Sequence, residues 1–345
     1  PFCILSAVVM CRNIVITKEI RRISCMRILV TGVAGLLGSH IADRMLELGH
    51  EVVGVDNLIG GYMDNVNEKI KFHKADCGDL ELMNEYSKGC DVVFHAACTA
   101  YDGLSVFSPY FITENTFGIT MSVLSAAIQN NVRRFVYCSS MSRYGYQEEV
   151  PFREDMVCNP QVPYAVAKYA SECVIEQLAE LNGMEYVIVV PHNVIGPRQN
   201  YTDPYRNVAS IMINRILQGK RPIIYGDGEQ KRCFSFVGDV TYCIEKAFLL
   251  DGLNGEVINI GPDEEYVTVN ELAKKISMLI GVDFNPIYIP SRPLEVAHAN
   301  CSSDKARRLL GYKTSTSLEE GLKQMINYIK KRGVSEFVYD NIRVE

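Results

Sequence analysis

The 345 residues of this chain contain no block of basic side chains, no Cys-x-x-Cys pair and no internal repeat or low-complexity segment. With a net charge of −6 and no basic face to meet phosphates, a nucleic-acid partner is not expected. Twelve cysteines are scattered, several of them inside apolar runs such as RFVYCSS and YASECVIE, and none falls into a His/Cys cluster with metal spacing. They read as buried free thiols with no metal site, which points to a reducing cytoplasm. The apolar stretch from Pro1 to Met10 is too short to span a bilayer, and no basic residues precede it as a secretory signal would require. Residues 1–25 are therefore an extension of unknown role, and no membrane partner is expected. Hydrophobic residues at 48% and charged residues at 22% describe an ordinary globular protein with a substantial core.

From Met26 onward, short apolar runs alternate with helical patterns. Arg27 to Thr31, Glu51 to Asp56, Ile70 to His73, Asp91 to His95, Arg134 to Ser139 and Tyr186 to Val190 read as strands. Helices are predicted from Leu37 to Leu48, across 115–130, and from Tyr164 to about Leu181. Near-continuous apolar strands separated by helices imply an α/β fold: a Rossmann-type, doubly wound parallel sheet covered on both faces. After Pro191, Pro, Gly and polar residues cluster, with helices predicted at Val269–Ile280 and Leu318–Lys330. The expected division is a nucleotide-binding domain over 26–190, with a return segment near 235–261. A smaller C-terminal lobe over 191–234 and 262–345 would face the strand ends.

The turn TGVAGLLG places glycines at 32, 35 and 38 between a strand and an amphipathic helix. Gly32 permits the tight turn, Gly35 lets the backbone approach a pyrophosphate, and Gly38 lets helix and strand pack closely. The helix N-terminus offers free N–H groups to the phosphates. Asp56 ends the next strand, where a carboxylate accepts hydrogen bonds from both ribose hydroxyls and repels a 2′-phosphate. No cation follows at Asn57 or Leu58, so NAD is expected rather than NADP.

YAVAK puts Tyr164 and Lys168 four residues apart on one helical face. A neighbouring ammonium stabilises a phenolate, so the Tyr164 pKa is expected to fall toward neutrality, as a general base requires. Ser140, at the carboxyl end of the preceding strand, can hydrogen-bond the same substrate hydroxyl.

Together TGVAGLLG, Asp56-Asn57, the HAA at 95–97, Asn115, the CSS at 138–140, YAVAK and PHNVIGPRQ resemble the extended short-chain dehydrogenase/reductase family. Within it they are similar to the NAD-dependent nucleotide-sugar 4-epimerases and dehydratases, over Met26 to about residue 330. The resemblance implies that Ser140, Tyr164 and Lys168 are catalytic, with Lys168 also on the nicotinamide ribose. It assigns Asp56 and Asn57 to the adenosine ribose, Asp76 and Cys77 to the adenine, and Ala96, Ala97 and Ala100 to the nicotinamide side. Leu36, Leu37, Asn115 and His192 complete the implied cofactor set. Asn193 falls at a contact to the sugar-phosphate region, Arg232 and Arg292 at arginines that clamp a diphosphate, and Glu295 at a nucleotide-ribose contact. Ala299 falls where the sugar's C2 substituent is limited, and a small residue there would admit an N-acetyl group. Guanidinium forks in a loop-rich lobe suit a diphosphate on physical grounds also.

The 4,6-dehydratases carry an Asp-Glu pair after the residue matching Ser140; here Met141 and Ser142 follow, and neither is a useful acid or base near neutral pH. The expected reaction is 4-epimerisation of a UDP-hexose through a transient 4-keto sugar, and the resemblance further implies a homodimer packed through the helices around 115–130 and 165–181. A dehydratase, decarboxylase or 3,5-epimerase of the same family, or a non-catalytic NAD sensor, are the alternatives.

Overall fold

In the computed structural model, which describes residues 25–263, 266–291 and 298–336, the chain begins its sheet at Arg27–Thr31 (β1). Six more strands follow: Glu51–Asp56 (β2), Lys71–Lys74 (β3), Val92–His95 (β4), Arg134–Cys138 (β5), Glu185–Pro191 (β6) and Glu256–Ile260 (β7). They pair in the order β7-β6-β5-β4-β1-β2-β3. Every pairing is parallel, with Ile28 opposite both Val52 and Val92. The chain moves outward from β1 through β2 to β3 and then returns to β4 on the other side. That reversal opens a crevice at the carboxyl ends of β1 and β4, where ligands of such sheets bind. The sheet is the doubly wound Rossmann-type fold that the alternation of elements predicts.

Alternate residues of each strand feed two cores. Ile28, Val30, Phe94, Val136 and Val187 face the helices Leu36–Glu47 and Val237–Leu249. Leu29, Val53, Val93, Phe135 and Ile188 face Leu80–Tyr86, Ile119–Gln129 and Pro163–Asn182. Each fully buried side chain of this size contributes about 1.5–3 kcal/mol. The strands are apolar on both faces because both are covered.

One polar residue crosses this interior. Arg134 is fully buried, and its guanidinium donates to the carbonyls of Ala247, Phe248 and Leu250 at 2.9–3.0 Å and to Glu185 at 2.8 Å. It thereby satisfies the C-terminal carbonyls of the helix Val237–Leu249, which would otherwise be orphaned.

A third apolar cluster forms between the helices Val208–Leu217, Val269–Ile280 and Leu318–Arg332, around Met212, Ile216, Leu272, Ile276, Leu322 and Met325. Thr268 and Glu271 close a capping box at the start of the second of these helices. Beside this cluster, Lys231–Arg232 pairs with Val267–Thr268 and, in parallel, with His298–Ala299. Among the described residues no helix is long and apolar enough to cross a membrane.

The segment predicted as one helix over 115–130 is different in detail. Regular helix begins at Ile119, and Glu114–Gly118 forms a widened turn in which Asn115 leaves helical geometry at ψ 16°. The Asn115 carbonyl accepts from the Thr99 N–H at 3.1 Å, and its side chain donates to the Phe111 carbonyl at 2.9 Å. The local ladder is spent on fixing the loop that follows β4. Such widened turns are often found at functional sites.

Candidate active site

The glycine turn between β1 and its helix is set by backbone contact. A Cβ on Gly38 would lie 2.1 Å from the Gly32 carbonyl oxygen, and one on Gly32 would lie 2.8 Å from the Ala97 nitrogen. Gly32 also has φ +73°, in the left-handed region. The turn therefore lies against the backbone of Ala96 and Ala97, just past β4, and leads straight into the helix that Leu36 and Leu37 begin.

Next to that turn, Gly32, Asp56, Asn57, Asp76, Cys77, Ala97 and Asn115 line one small cavity, so these expected cofactor residues come together. Ile59, Thr99 and Ile119 complete its wall. Asp56 accepts from the Ala34 N–H at 2.9 Å and the Leu58 N–H at 2.7 Å, leaving a lone pair on each oxygen for ribose hydroxyls. Burial pushes the Asp56 carboxyl up, and those two N–H groups, with Arg206, pull it back. Asn57 donates to Asp76 at 3.2 Å, which in turn accepts from the Gly78 N–H at 2.7 Å. This donor and acceptor set fits the adenosine half of NAD, and the carboxylate disfavours a 2′-phosphate.

A second, larger cavity of about 470 Å³ lies between the sheet and the C-terminal lobe, well sized for a small-molecule ligand. Ala100, Ser140, Tyr164, His192, Asn193, Arg232 and Ala299 all line it. Ser140 lies two residues past the end of β5; its hydroxyl lies 2.8 Å from that of Ser142 and accepts from the Ser142 N–H at 3.3 Å. Met141 and Ser142, in place of an acidic pair, are on the same wall. Asp102 is the single carboxylate among the described lining residues. Asn193 is held at φ +37°, donating to the Cys233 carbonyl at 3.1 Å. Arg232 pairs in register with Ala299. Arg292 and Glu295 lie outside the described residues.

Lys168 is fully buried beneath the cavity, donating to the Cys138 carbonyl at 2.8 Å with its ammonium 4.8 Å from the centre of the Tyr137 ring. Burial alone would lower its pKa, but Cys98, Tyr137, Tyr164 and Cys138 around it hold it well above the ordinary value, and it stays an ammonium. The expectation that this charge brings the Tyr164 phenol toward neutrality is not met in the free site. Burial outweighs the ammonium and raises the phenol well above 10, with Cys98 adding to the rise. Tyr164 packs with Tyr101 and Ile112, away from bulk water, and this is why desolvation dominates.

Two further groups were not singled out in the sequence. Glu172, one helical turn beyond Lys168, accepts from the Ser139 hydroxyl and pairs with Arg143 at 3.0 Å; burial, only partly opposed by Arg143, pushes it up to about 7. The loop Asp203–Asn207 closes the cavity from the second lobe with Tyr205, Arg206 and Asn207. Nothing in a polar DPYRN string marks it as part of a site; its position emerges only from the packing of the lobe.

His95 and His192 are buried and neutral. His95 bridges Thr31 at 2.7 Å and Thr120 at 3.0 Å, and both imidazoles are pushed down to about 3, mainly by burial. The cysteines of the described residues are free thiols, and no group of His, Cys, Asp or Glu among those residues could hold a metal.

The sequence profile of the NAD dependent epimerase/dehydratase family matches residues 28–261. The UDP-glucose 4-epimerase of Mycolicibacterium smegmatis is 34% identical over 319 residues, covering 89% of this chain and 99% of the relative. The crystal structure of UDP-glucose 4-epimerase from Thermotoga maritima, with UDP-glucose, is 34% identical and superimposes with a TM-score of 0.83 over 89% of this chain and 99% of that one. A UDP-N-acetylglucosamine 4-epimerase from Methanobrevibacter ruminantium, in complex with UDP-N-acetylmuramic acid, gives a TM-score of 0.84 at 30% identity, over 90% of this chain and 100% of that one. With the glycine turn, the small cavity beside it, and Ser140, Tyr164 and Lys168 in place, the chain belongs to the NAD-dependent epimerase/dehydratase family of short-chain dehydrogenase/reductase enzymes.

Proposed function

We propose that this enzyme inverts C4 of a UDP-hexose, interconverting gluco and galacto configurations by reversible oxidation. The observation that carries the reading is the cavity in which Ser140, Tyr164, Asn193, Arg232 and Ala299 meet while Asp102 is the only described lining carboxylate. A dehydratase needs an acid and a base over the ring in addition to the phenol; Met141 and Ser142 occupy the positions beside Ser140 and provide neither.

NAD, when bound, would supply reversible hydride acceptance. The protein's own part is proton handling and grip. Tyr164 takes the proton of the sugar 4-hydroxyl as phenolate, a form it reaches only once the positive charge of bound NAD+ joins Lys168 against the burial that raises it in the free site, and returns it when the 4-keto sugar is reduced on its other face. Lys168 holds the phenolate charge from below, anchored on the Cys138 carbonyl so that the ammonium cannot swing away. The Ser140 hydroxyl hydrogen-bonds the reacting oxygen. Arg232 pairs with the diphosphate and keeps the nucleotide fixed while the hexose turns over. Asn193 contacts the sugar-phosphate region, and Ala299 leaves room for a C2 substituent.

We further infer a homodimer packed through the helices Ile119–Gln129 and Pro163–Asn182, where Val166 and Leu181 stand exposed, and a reducing, cytoplasmic setting consistent with the free thiols. In this reading residues 26–190 with 235–261 form the cofactor domain, and residues 191–234 and 262–345 the sugar lobe.

The test is product analysis by NMR on a panel of UDP- and dTDP-sugars. Conversion of UDP-galactose and UDP-glucose to one equilibrium mixture is expected. Loss of water or carbon dioxide, or solvent deuterium at C3 or C5, would assign the cavity to one of the other family reactions. No turnover with any sugar would leave a cofactor-binding sensor.

A further inference from the structure

Two glycines follow β2, and neither Gly60 nor Gly61 has a positive φ that would demand glycine. What requires them is space. A Cβ on Gly61 would lie 2.4 Å from the Ala34 carbonyl carbon and oxygen and 2.8 Å from the Gly35 nitrogen, so this residue lies flat on the phosphate turn. A Cβ on Gly60 would lie 2.0 Å from Nη2 of Arg206, a residue of the opposite lobe. The loop is thus a thin layer, with the glycine turn on one side and a guanidinium on the other.

Arg206 is held there from two directions. Its Cζ lies 4.5 Å over the Tyr101 ring, and its Nε stands 3.6 Å from the Asp203 carboxylate, which also accepts from the Tyr101 hydroxyl. At that separation Nε makes an ion pair and no hydrogen bond, and it is buried without an acceptor. The charge reaches across the cleft, lowering the Asp56 carboxyl against the rise that burial imposes.

A dinucleotide diphosphate brings two negative charges to a turn beside the Asp56 carboxylate. Residues 31–38, 56–62 and 96–101 contain no lysine or arginine. The N-terminus of the helix Leu36–Glu47 offers only about half a charge. Arg232, on the far strand pair, is already placed for the diphosphate of the sugar nucleotide. We propose that Arg206 is the cation for the diphosphate of NAD, and that Gly60 is glycine to admit it. The proposal rests on the cofactor lying along the glycine turn. Its consequence is that a residue of the sugar lobe grips the cofactor, so cofactor retention depends on the lobe's position.

The test uses the full-length protein, with NAD+ binding measured by calorimetric titration after dialysis, and adenosine and UDP titrated in parallel. Arg206→Gln is expected to weaken NAD+ about 10- to 100-fold, as loss of charge-assisted bonds does, with adenosine and UDP each within about twofold. Arg206→Lys should recover part of the loss. Gly60→Val, which leaves Arg206 present but displaces it, should reproduce the Arg206→Gln effect on NAD+. Unchanged NAD+ affinity in Arg206→Gln would overturn the proposal. So would loss of UDP with NAD+ retained, which would give Arg206 to the substrate, or equal losses of NAD+ and adenosine, which would make its role structural. If the wild-type protein bound no NAD+, the cofactor placement itself would fail first.

Discussion

The Lys168 ammonium donates to the main-chain carbonyl of Cys138, 2.8 Å away, at the end of the strand from which Ser140 follows. In the proposed mechanism the residue that would stabilise the phenolate is thus locked to the strand that presents Ser140, and the proposed geometry does not depend on a mobile side chain. Replacing Tyr164 by Phe removes the proposed proton carrier and little volume. Turnover of UDP-galactose should fall by about 10²–10⁴-fold, with NAD+ affinity within about threefold. Activity close to wild type would remove Tyr164 from the chemistry.

Burial raises the Tyr164 phenol and Lys168 lowers it. Deleting the ammonium in Lys168→Met leaves burial unopposed, so the phenol ionises at higher pH. The acid limb of the kcat profile should move alkaline by about one unit or more. A profile that drops in height without moving would mean Lys168 acts by position alone.

Gly38→Ala places a methyl 2.1 Å from the Gly32 carbonyl oxygen and 2.9 Å from the Val33 Cα, all backbone that cannot rotate aside. Stability should drop by about 1–3 kcal/mol, and NAD+ affinity should fall at least tenfold because the turn must open. Thermal melts with and without NAD+ check both. A variant with wild-type Tm would show that helix and turn can separate freely.

His95 and His192 are held near pKa 3, against an ordinary value of 6.5. Both stay neutral in the fold while the unfolded chain takes up protons below 6.5. Their stabilising contribution is complete above pH 6.5 and declines as pH falls from 6.5 toward 3. Near pH 5 each should add about one proton to unfolding, a slope of about 1.4 kcal/mol per pH unit. In His95→Gln the proton uptake, measured by calorimetry in buffers of different ionisation heat, should fall by about one. An unchanged uptake would mean that His95 is protonated in the fold.

Ala299 lies on the cavity wall in register with Arg232. If it limits the C2 substituent, Ala299→Tyr should reduce kcat/KM for UDP-N-acetylglucosamine at least about tenfold more than for UDP-glucose. Equal losses for the two sugars would place the limit elsewhere.

The strands, the glycine turn and the helix bearing Tyr164 and Lys168 were legible in the sequence because each has a local signature: apolar runs, glycines at fixed spacing, a four-residue interval. The helices Val208–Leu217 and Val237–Leu249 were not distinguished, since their patterns sit among Pro- and Gly-rich segments that read as loop. The state of Tyr164 was misjudged for a different reason. Spacing shows that an ammonium is near, but desolvation comes from Tyr101 and Ile112, distant in sequence, and it is the larger effect. Arg206 was invisible for the same cause: its meaning depends on Gly60, 146 positions earlier, a relation that only the folded chain displays.

Arg134 sets the order in which this molecule can be completed. Its guanidinium sits at the base of a central strand, and the three carbonyls that satisfy it belong to residues 247–250. Until those residues leave the ribosome, Glu185 still pairs the charge, but a half-built sheet would have to bury Nη1 without an acceptor, at a cost of about 1–3 kcal/mol. The nucleotide-binding half should therefore reach its full stability only when the carbonyls of residues 247–250 are present. A truncation ahead of residue 250 should yield an aggregating fragment instead of a smaller NAD-binding protein.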